Sequence, residues 1–329
     1  MGEALRMIEL WRGGRCESAH AGHAAVVDAA GALVEGWGDP GAVIYPRSAC
    51  KMVQALPLVE SGAADALGPE HLALACASHS GAAVHTGLVA RWLADLGLGE
   101  GDLRCGPQEP GDRAARDALI RAGQAPCQIH NNCSGKHTGF LMLNRHLGGG
   151  PEYVAPDHKV QQAVRAAFEE VTGAASPGFG IDGCSAPNFA TSVSGLARAM
   201  AAFAAARADG DGRARAMVRL REAMMAHPDL VAGEGRACTI LMRALAGRAA
   251  VKTGAEGVFV AIVPGAGLGI ALKIVDGATR GAEAAIVALL ARLGLLDPAH
   301  PAARTFLDTD ERNRRGLSVG TIRAAPGFP

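Results

Sequence analysis

An α+β fold, with one antiparallel sheet assembled from both ends of the chain and a helical region inserted between them, is what this 329-residue sequence predicts. Three observations carry the prediction. From Ile8 to Trp37 short apolar runs alternate with small turns. The middle of the chain places apolar residues at helical spacing, and beyond Ala249 extended runs return between Gly-rich turns. No repeat or long linker divides the sequence. It reads as a single domain over 1–329, with a sheet part at about 1–64 and 248–329 and a helical part at about 65–247.

Taken in order, "IELWRGG" and "SAHAGHAAVVDAAGALVEGWGD" give strands that turn at "DAAG". Through "PGAVIYPRSAC" the chain enters its first helix, which carries Ser48, Lys51, Met52, Ala55 and Leu56; Pro57 is expected to kink or interrupt it. Helices follow in "PEHLALACAS", "AAVHTGLVARWLADLGL", "DHKVQQAVRAAFEEVTG", "NFATSVSGLARAMAAFAAA" and "GRARAMVRLREAMMAH". The loops "IHNNCSGKHTG" and "PGFGIDGCSAPN" lie between them, and their Gly, Asn and Ser residues let the backbone turn sharply beside a ligand. Three strands come next, in "AVKTGAEGVFVAIVPGAGLGIALKIVDG", then the helix "GAEAAIVALLARLGLL" and a last strand, "SVGTIRAA". Within that segment "VPGAGLGIAL" is a hairpin turn: glycines that cradle phosphate need a helix start after them, and "GIALKIV" is extended.

Composition narrows the function. Hydrophobic residues make up 49% and charged residues 19%, so the chain is globular rather than disordered. Lys plus Arg and Asp plus Glu number 32 each, which leaves no basic field to hold nucleic acid or an anionic membrane. No apolar run approaches the roughly 20 residues that span a bilayer, and the first residues carry acids early without the apolar core of a signal peptide. A cytoplasmic protein with a small-molecule partner is expected. The eight cysteines are scattered through a chain too long to need a disulfide framework, so most are read as small core residues.

Candidate chemistry begins with Ser48 and Lys51. Spacing of three on a helix puts both side chains on one face, where a neutral amine can take the proton that makes serine a poor nucleophile. Alone, the pair reads first as a capped helix start with a solvated lysine. Lys252-Thr253-Gly254, at the mouth of the strand "VFVAIV", raises its standing, because Ser-x-x-Lys followed by a late Lys-Thr-Gly marks penicillin-recognising serine enzymes. The middle Ser-Asp-Asn of that set is missing. In its place stands "CASHSGAAVH", where Ser78 and Ser80 flank His79, and Ser80 is the candidate hydroxyl for relaying a proton. A third constellation joins "NNCSGKHTG" to "IDGCSAPN": Cys133, Lys136 and His137 in one loop, Asp182 and Cys184 in the other. These are metal-ligand types, yet without a Cys-x-x-Cys pair they read first as buried thiols packing two loops.

Together, "YPRSACKMVQALPLVESG", "ASHSG", "HNNCSGKHTGF", "IDGCSAPNF", "HPDLVAGEGR" and "VKTGAEGVF" resemble the L-asparaginase II family of the Rhizobium etli inducible type, from about Leu10 to Arg323. The resemblance implies a serine β-lactamase-like fold and an amidohydrolase that converts L-asparagine to L-aspartate and ammonia. It further implies that Ser48 is the nucleophile and Lys51 its base, with Ser80 and Lys252 as a second Ser-Lys pair. Thr253 and Gly254 would line the substrate. One zinc ion per chain would sit on Cys133, Lys136 and Cys184, with His137 and Asp182 holding the substrate or orienting the metal shell. A homodimer is implied as well. Since the base must be substantially neutral to work, activity is expected to rise on the alkaline side. The alternatives are a related serine amidohydrolase, a glutaminase or β-lactamase-like enzyme, and a zinc-stabilised binding protein without catalysis.

Overall fold

The computed structural model describes residues 2–329. Its strands run in chain order as β1 (Leu5–Arg12), β2 (Arg15–Val27), β3 (Leu33–Trp37), β4 (Val43–Ile44), β5 (Phe179–Ile181), β6 (Pro187–Phe189), β7 (Thr191–Ser192), β8 (Ala250–Thr253), β9 (Val258–Val263), β10 (Leu268–Ile274), β11 (Thr309–Arg312) and β12 (Ser318–Ala324). Two compact units are present. One holds Met1–Ala49, Thr191–Ala205 and Ile240–Pro329, the other Cys50–Ala190 and Ala206–Thr239.

The first unit contains the expected antiparallel sheet built from both ends of the chain. Its order is β11-β12-β1-β2-β10-β9-β8, with β3 also paired to β2. Ile8 lies opposite Ala324 and Val27 opposite Gly269, so the N-terminal pair β1–β2 sits at the centre with C-terminal strands on both sides. All six residues of β9 are buried, as an unbroken Val-Phe-Val-Ala-Ile-Val run requires when both faces are covered. Helices Val193–Ala205 and Thr279–Arg292 both pack on that strand. A Cβ on Gly269 of β10 would run into the backbone at Ala197 and Ala201, so glycine there lets the first of these helices lie directly on the sheet. That contact explains why residues 191–205, from the middle of the chain, belong to the sheet unit. The turn at "DAAG" joins β2 to β3, and a second tight turn, with Gly13 and Gly14 at φ 54° and 76°, joins β1 to β2.

The second unit is helical apart from the small β5–β6 hairpin. At its centre lies the helix Ser134–Leu147, whose residues from Ser134 to Leu141 are all buried. Helices Leu56–Glu60, Pro69–Ala75, Ala83–Asp95 and Lys159–Thr172 pack around it. Small residues make the approach possible: a Cβ on Gly135 would strike the Leu74 backbone and one on Gly139 would crowd Leu58. The first helix ends at Gln54 and a new one starts at Leu56 with Pro57 in its first turn, the interruption expected of a residue without an N–H. Among the described residues no helix is long and apolar enough to cross a membrane.

Candidate active site

In the sheet unit, Ser48 sits half-buried in the single 3-10 turn Arg47–Cys50 that leads into the helix starting at Lys51. The turn is closed by Ala49 N–H donating to Pro46 O at 3.1 Å. Arg47, the residue before the serine, is held at φ 51°, a left-handed conformation that costs a side-chain-bearing residue about 1–2 kcal/mol. Strain of this kind concentrates where a fold must aim a group. Against this turn lies Gly254: a Cβ there would come within 2.7 Å of Pro46 O and 3.1 Å of Ala49 N. The structure thus brings the Ser48 turn and the end of the Lys252-Thr253-Gly254 strand together, with glycine demanded by packing. Lys252 is fully buried and its Nζ donates to Thr253 O at 2.7 Å, while Thr253 Oγ1 donates to Gly254 O at 3.3 Å. Cys50, between Ser48 and Lys51, has its thiol pushed up to about 12 by burial, which leaves it protonated.

In the helical unit, Lys51 is 1% exposed, so the solvated helix lysine is ruled out. Its Nζ donates to Ala77 O at 2.5 Å, Ser78 Oγ at 3.0 Å and Cys133 Sγ at 3.1 Å. Ser78 is therefore the serine of "SHSG" that touches the lysine. Ser80 Oγ is buried without a hydrogen-bond partner, close against Gly233, where a side chain at that position would displace it. The loop holding both serines is fixed by backbone bonds: Ser78 N–H to Val231 O at 2.9 Å, His79 N–H to Asn132 O at 3.2 Å, and Asp112 N–H to Ser80 O at 2.8 Å.

Cys133, Lys136 and Cys184 also converge in this unit. Cys133 precedes the central helix and Lys136 lies in its first turn; Cys184 stands in the turn between β5 and β6. Lys136 Nζ is 3.1 Å from Cys184 Sγ, and all three residues are buried. The Cys184 thiol is held well below its usual range by a hydrogen bond from Cys133, with burial opposing and the Lys136 charge assisting, and the Cys133 thiol rises correspondingly. Burial works to lower Lys136, yet the two neighbouring sulfurs outweigh it and raise the amine above the ordinary lysine range. Among the described residues no group of three His, Cys, Asp or Glu side chains is placed to hold a metal ion. The Cys-Lys-Cys trio offers two such donors and an amine.

His137 follows Lys136, and its Nδ1 meets Tyr153 Oη at 2.9 Å. Because that oxygen accepts the Arg104 N–H at 2.8 Å, its own proton goes to Nδ1, and the ring proton must be on Nε2. Nε2 is buried with no partner of good geometry, and burial pushes the imidazole down to about 4. Asp182, half-buried in the same turn as Cys184, closes that turn: its Oδ1 accepts the Gly183 N–H at 2.8 Å and its carbonyl the Ser185 N–H at 2.8 Å. Sequence reasoning missed Tyr153, whose role needs a contact 16 residues away, and of the two serines in "SHSG" it favours Ser80 for the proton relay, whereas Ser78 is the one bonded to Lys51.

Comparison with known proteins gives the family. The model of the L-asparaginase II family matches residues 8–324. No curated protein matches the chain. Among solved structures, a β-lactamase from Mycobacterium bovis is 13% identical with a TM-score of 0.40, covering 80% of this chain and 89% of its own. Mglu is 15% identical with a TM-score of 0.45, covering 89% and 72%. An octameric penicillin-binding protein homologue from Pyrococcus abyssi is 11% identical with a TM-score of 0.39, covering 84% and 74%. With the family match running almost from end to end, the chain belongs to the L-asparaginase II family, a family of amidohydrolases.

Proposed function

We propose that the chain is an L-asparaginase of the Rhizobium etli inducible type, a single catalytic domain that hydrolyses the side-chain amide of L-asparagine through an acyl-enzyme on Ser48. The observation that carries this reading is the burial of Lys51 among a carbonyl, a hydroxyl and a thiol, three residues after Ser48. An amine so placed serves proton transfer rather than solvation. Ser48 Oγ attacks the amide carbon while the Lys51 amine takes its proton. Backbone N–H groups near Ser48 and the Lys252-Thr253-Gly254 strand end steady the oxyanion. The C–N bond then breaks, ammonia leaves with a proton relayed through a serine hydroxyl, and water hydrolyses the aspartyl ester. Contact with Lys51 supports Ser78 as that relay; Ser80 Oγ, buried without a partner, remains available to a substrate atom.

Two sulfurs and an amine, all buried, are a donor set that suits zinc, and Cys133, Lys136 and Cys184 would hold one ion per chain. In the metal-free chain the Lys136 amine keeps its proton, and the ion would stand in that proton's place. When bound, it supplies a fixed positive charge that helps orient a polar substrate. The buried His137 imidazole, whose Nε2 side faces the Cys184 sulfur, suits the substrate's carboxylate, and Asp182 suits its amino group.

Ammonia release from asparagine and from glutamine, measured side by side for wild type and Ser48→Ala, tests the reading. Release from asparagine that Ser48→Ala abolishes is expected. Faster release from glutamine would make the chain a glutaminase, and an active Ser48→Ala enzyme would remove the acyl-serine route. The same reading carries a cytoplasmic homodimer, checked by light scattering and cell fractionation.

A further inference from the structure

The stretch Ser78-His79-Ser80-Gly81 contains an imidazole that the proposed reaction does not use. His79 is 2% exposed. Its Nδ1 accepts the Gly81 N–H at 3.1 Å, and its Nε2 lies 2.9 Å from Ser134 Oγ. Ser134 donates its one hydroxyl proton to Ile129 O at 2.9 Å, so toward His79 it can only accept. The ring is therefore the neutral tautomer with its proton on Nε2. One of its faces stacks on His85, with centroids 4.9 Å apart and planes 10° from parallel. His85 is fixed in turn, its Nε2 donating to Asp229 O at 2.9 Å.

These bonds end on the groups that surround Lys51. Ser78, directly before His79, is 3.0 Å from the lysine amine; Cys133, directly before Ser134, is 3.1 Å from it. A second bond, His79 N–H to Asn132 O at 3.2 Å, joins the same two segments through the backbone. Burial, reinforced by the charges of His85, Lys51 and His130, holds the ring well below the usual imidazole range, in keeping with a group that stays neutral.

Resting on the asparaginase reading above, we propose that His79 is a positioning residue: through Ser134 it fixes the distance between Ser78 and Cys133, and so the cage around the Lys51 amine. A packing histidine would contribute stability alone. A positioning one sets the rate through geometry, where a displacement near 1 Å can cost about 100-fold.

The test uses His79→Ala, His79→Gln, Ser134→Ala and the double variant His79→Ala/Ser134→Ala, with asparagine as substrate. His79→Ala and Ser134→Ala are expected to lower kcat by about 10- to 100-fold while KM stays close to wild type. His79→Gln, which keeps an N–H near the Nε2 position, should recover part of the rate, and the double variant should be no slower than His79→Ala because both changes break one linkage. Wild-type kcat in a folded Ser134→Ala enzyme would overturn the proposal. Should His79→Ala fail to fold, Ser134→Ala decides alone, since it removes a single hydroxyl. A crystal structure of Ser134→Ala gives a readout that needs no substrate. Displacement of Ser78 Oγ from Lys51 Nζ is expected, and an unchanged separation overturns the positioning role. A wild type inert toward asparagine overturns the substrate reading instead.

Discussion

In the sheet unit the Ser48 turn and the Lys252–Gly254 strand end are fitted to each other by backbone: a left-handed Arg47, a closed turn, and a glycine with no room for a methyl group. In the helical unit Lys51, Lys136 and their cysteines are fitted by side-chain chemistry: buried amines satisfied by sulfur, hydroxyl and carbonyl, and imidazoles kept neutral. The contrast teaches which change each unit tolerates. Steric additions should harm the first more than the loss of a polar group, and the loss of a polar group should harm the second more than a small change of volume.

The largest expected effect is in the helical unit. Lys51→Met keeps the stem and removes the amine; steady-state kinetics should show kcat down about 1,000-fold, the middle of the range for a general base, with thermal stability little changed. A fall under tenfold would break the contrast. Next is zinc removal by a chelator, which should raise KM more than it lowers kcat, because the acyl-serine route uses no metal-bound nucleophile. Unchanged KM and kcat in a protein shown to be zinc-free would take the Cys133-Lys136-Cys184 trio out of the working site. Third is Gly254→Ala, whose methyl group would meet Pro46 O and Ala49 N; denaturant unfolding should show a loss of about 1–3 kcal/mol, together with lower kcat. A neutral Gly254→Ala would show that the sheet unit is less tightly fitted than its distances imply.

The smallest effect is a pH trend, shared by the buried His23 of the sheet unit but carried by more rings in the helical unit. Burial lowers His71, His79 and His85 from the ordinary value of 6.5. Glu70 and Asp95 beside His71, and Asp229 and Asp112 beside His85, work against burial without overcoming it. Above pH 6.5 these rings are neutral whether the chain is folded or not, and their contribution is complete. As pH falls below 6.5 the unfolded chain takes up protons that the folded one refuses, so stability drops until the folded values are reached. Thermal midpoints measured from pH 8 to pH 5 should decline through the lower half of that range, and a flat profile would contradict the burial of neutral imidazoles.

Much of the fold was legible because its signals are local. The run "VFVAIV" announces a strand covered on both faces, and Pro57 announces a break. Residues 193–205 read as one more apolar helix; their packing on β2, β9 and β10, the last made possible by Gly269, 64 or more residues away, assigns them to the sheet. At the site, residue type and spacing pointed to Ser48, Lys51 and Lys252-Thr253-Gly254. The sequence favours Ser80, yet Ser78 meets Lys51, because alternate residues of an extended segment face opposite ways and the bonds to Val231 and Asn132 decide which way. Cys184 was found by composition, while the hairpin that presents it has strands of only three residues, too short to leave a periodic signal.

The pairing of Ile8 with Ala324 has a consequence for synthesis. β1 can complete its hydrogen bonding only with β12, far later in the chain, and β2 must wait for β10. Until β12 has been translated, the nascent β1–β2 hairpin exposes an unpaired apolar edge, a liability during folding. Truncation near the C-terminus should therefore yield insoluble chains rather than shortened enzymes.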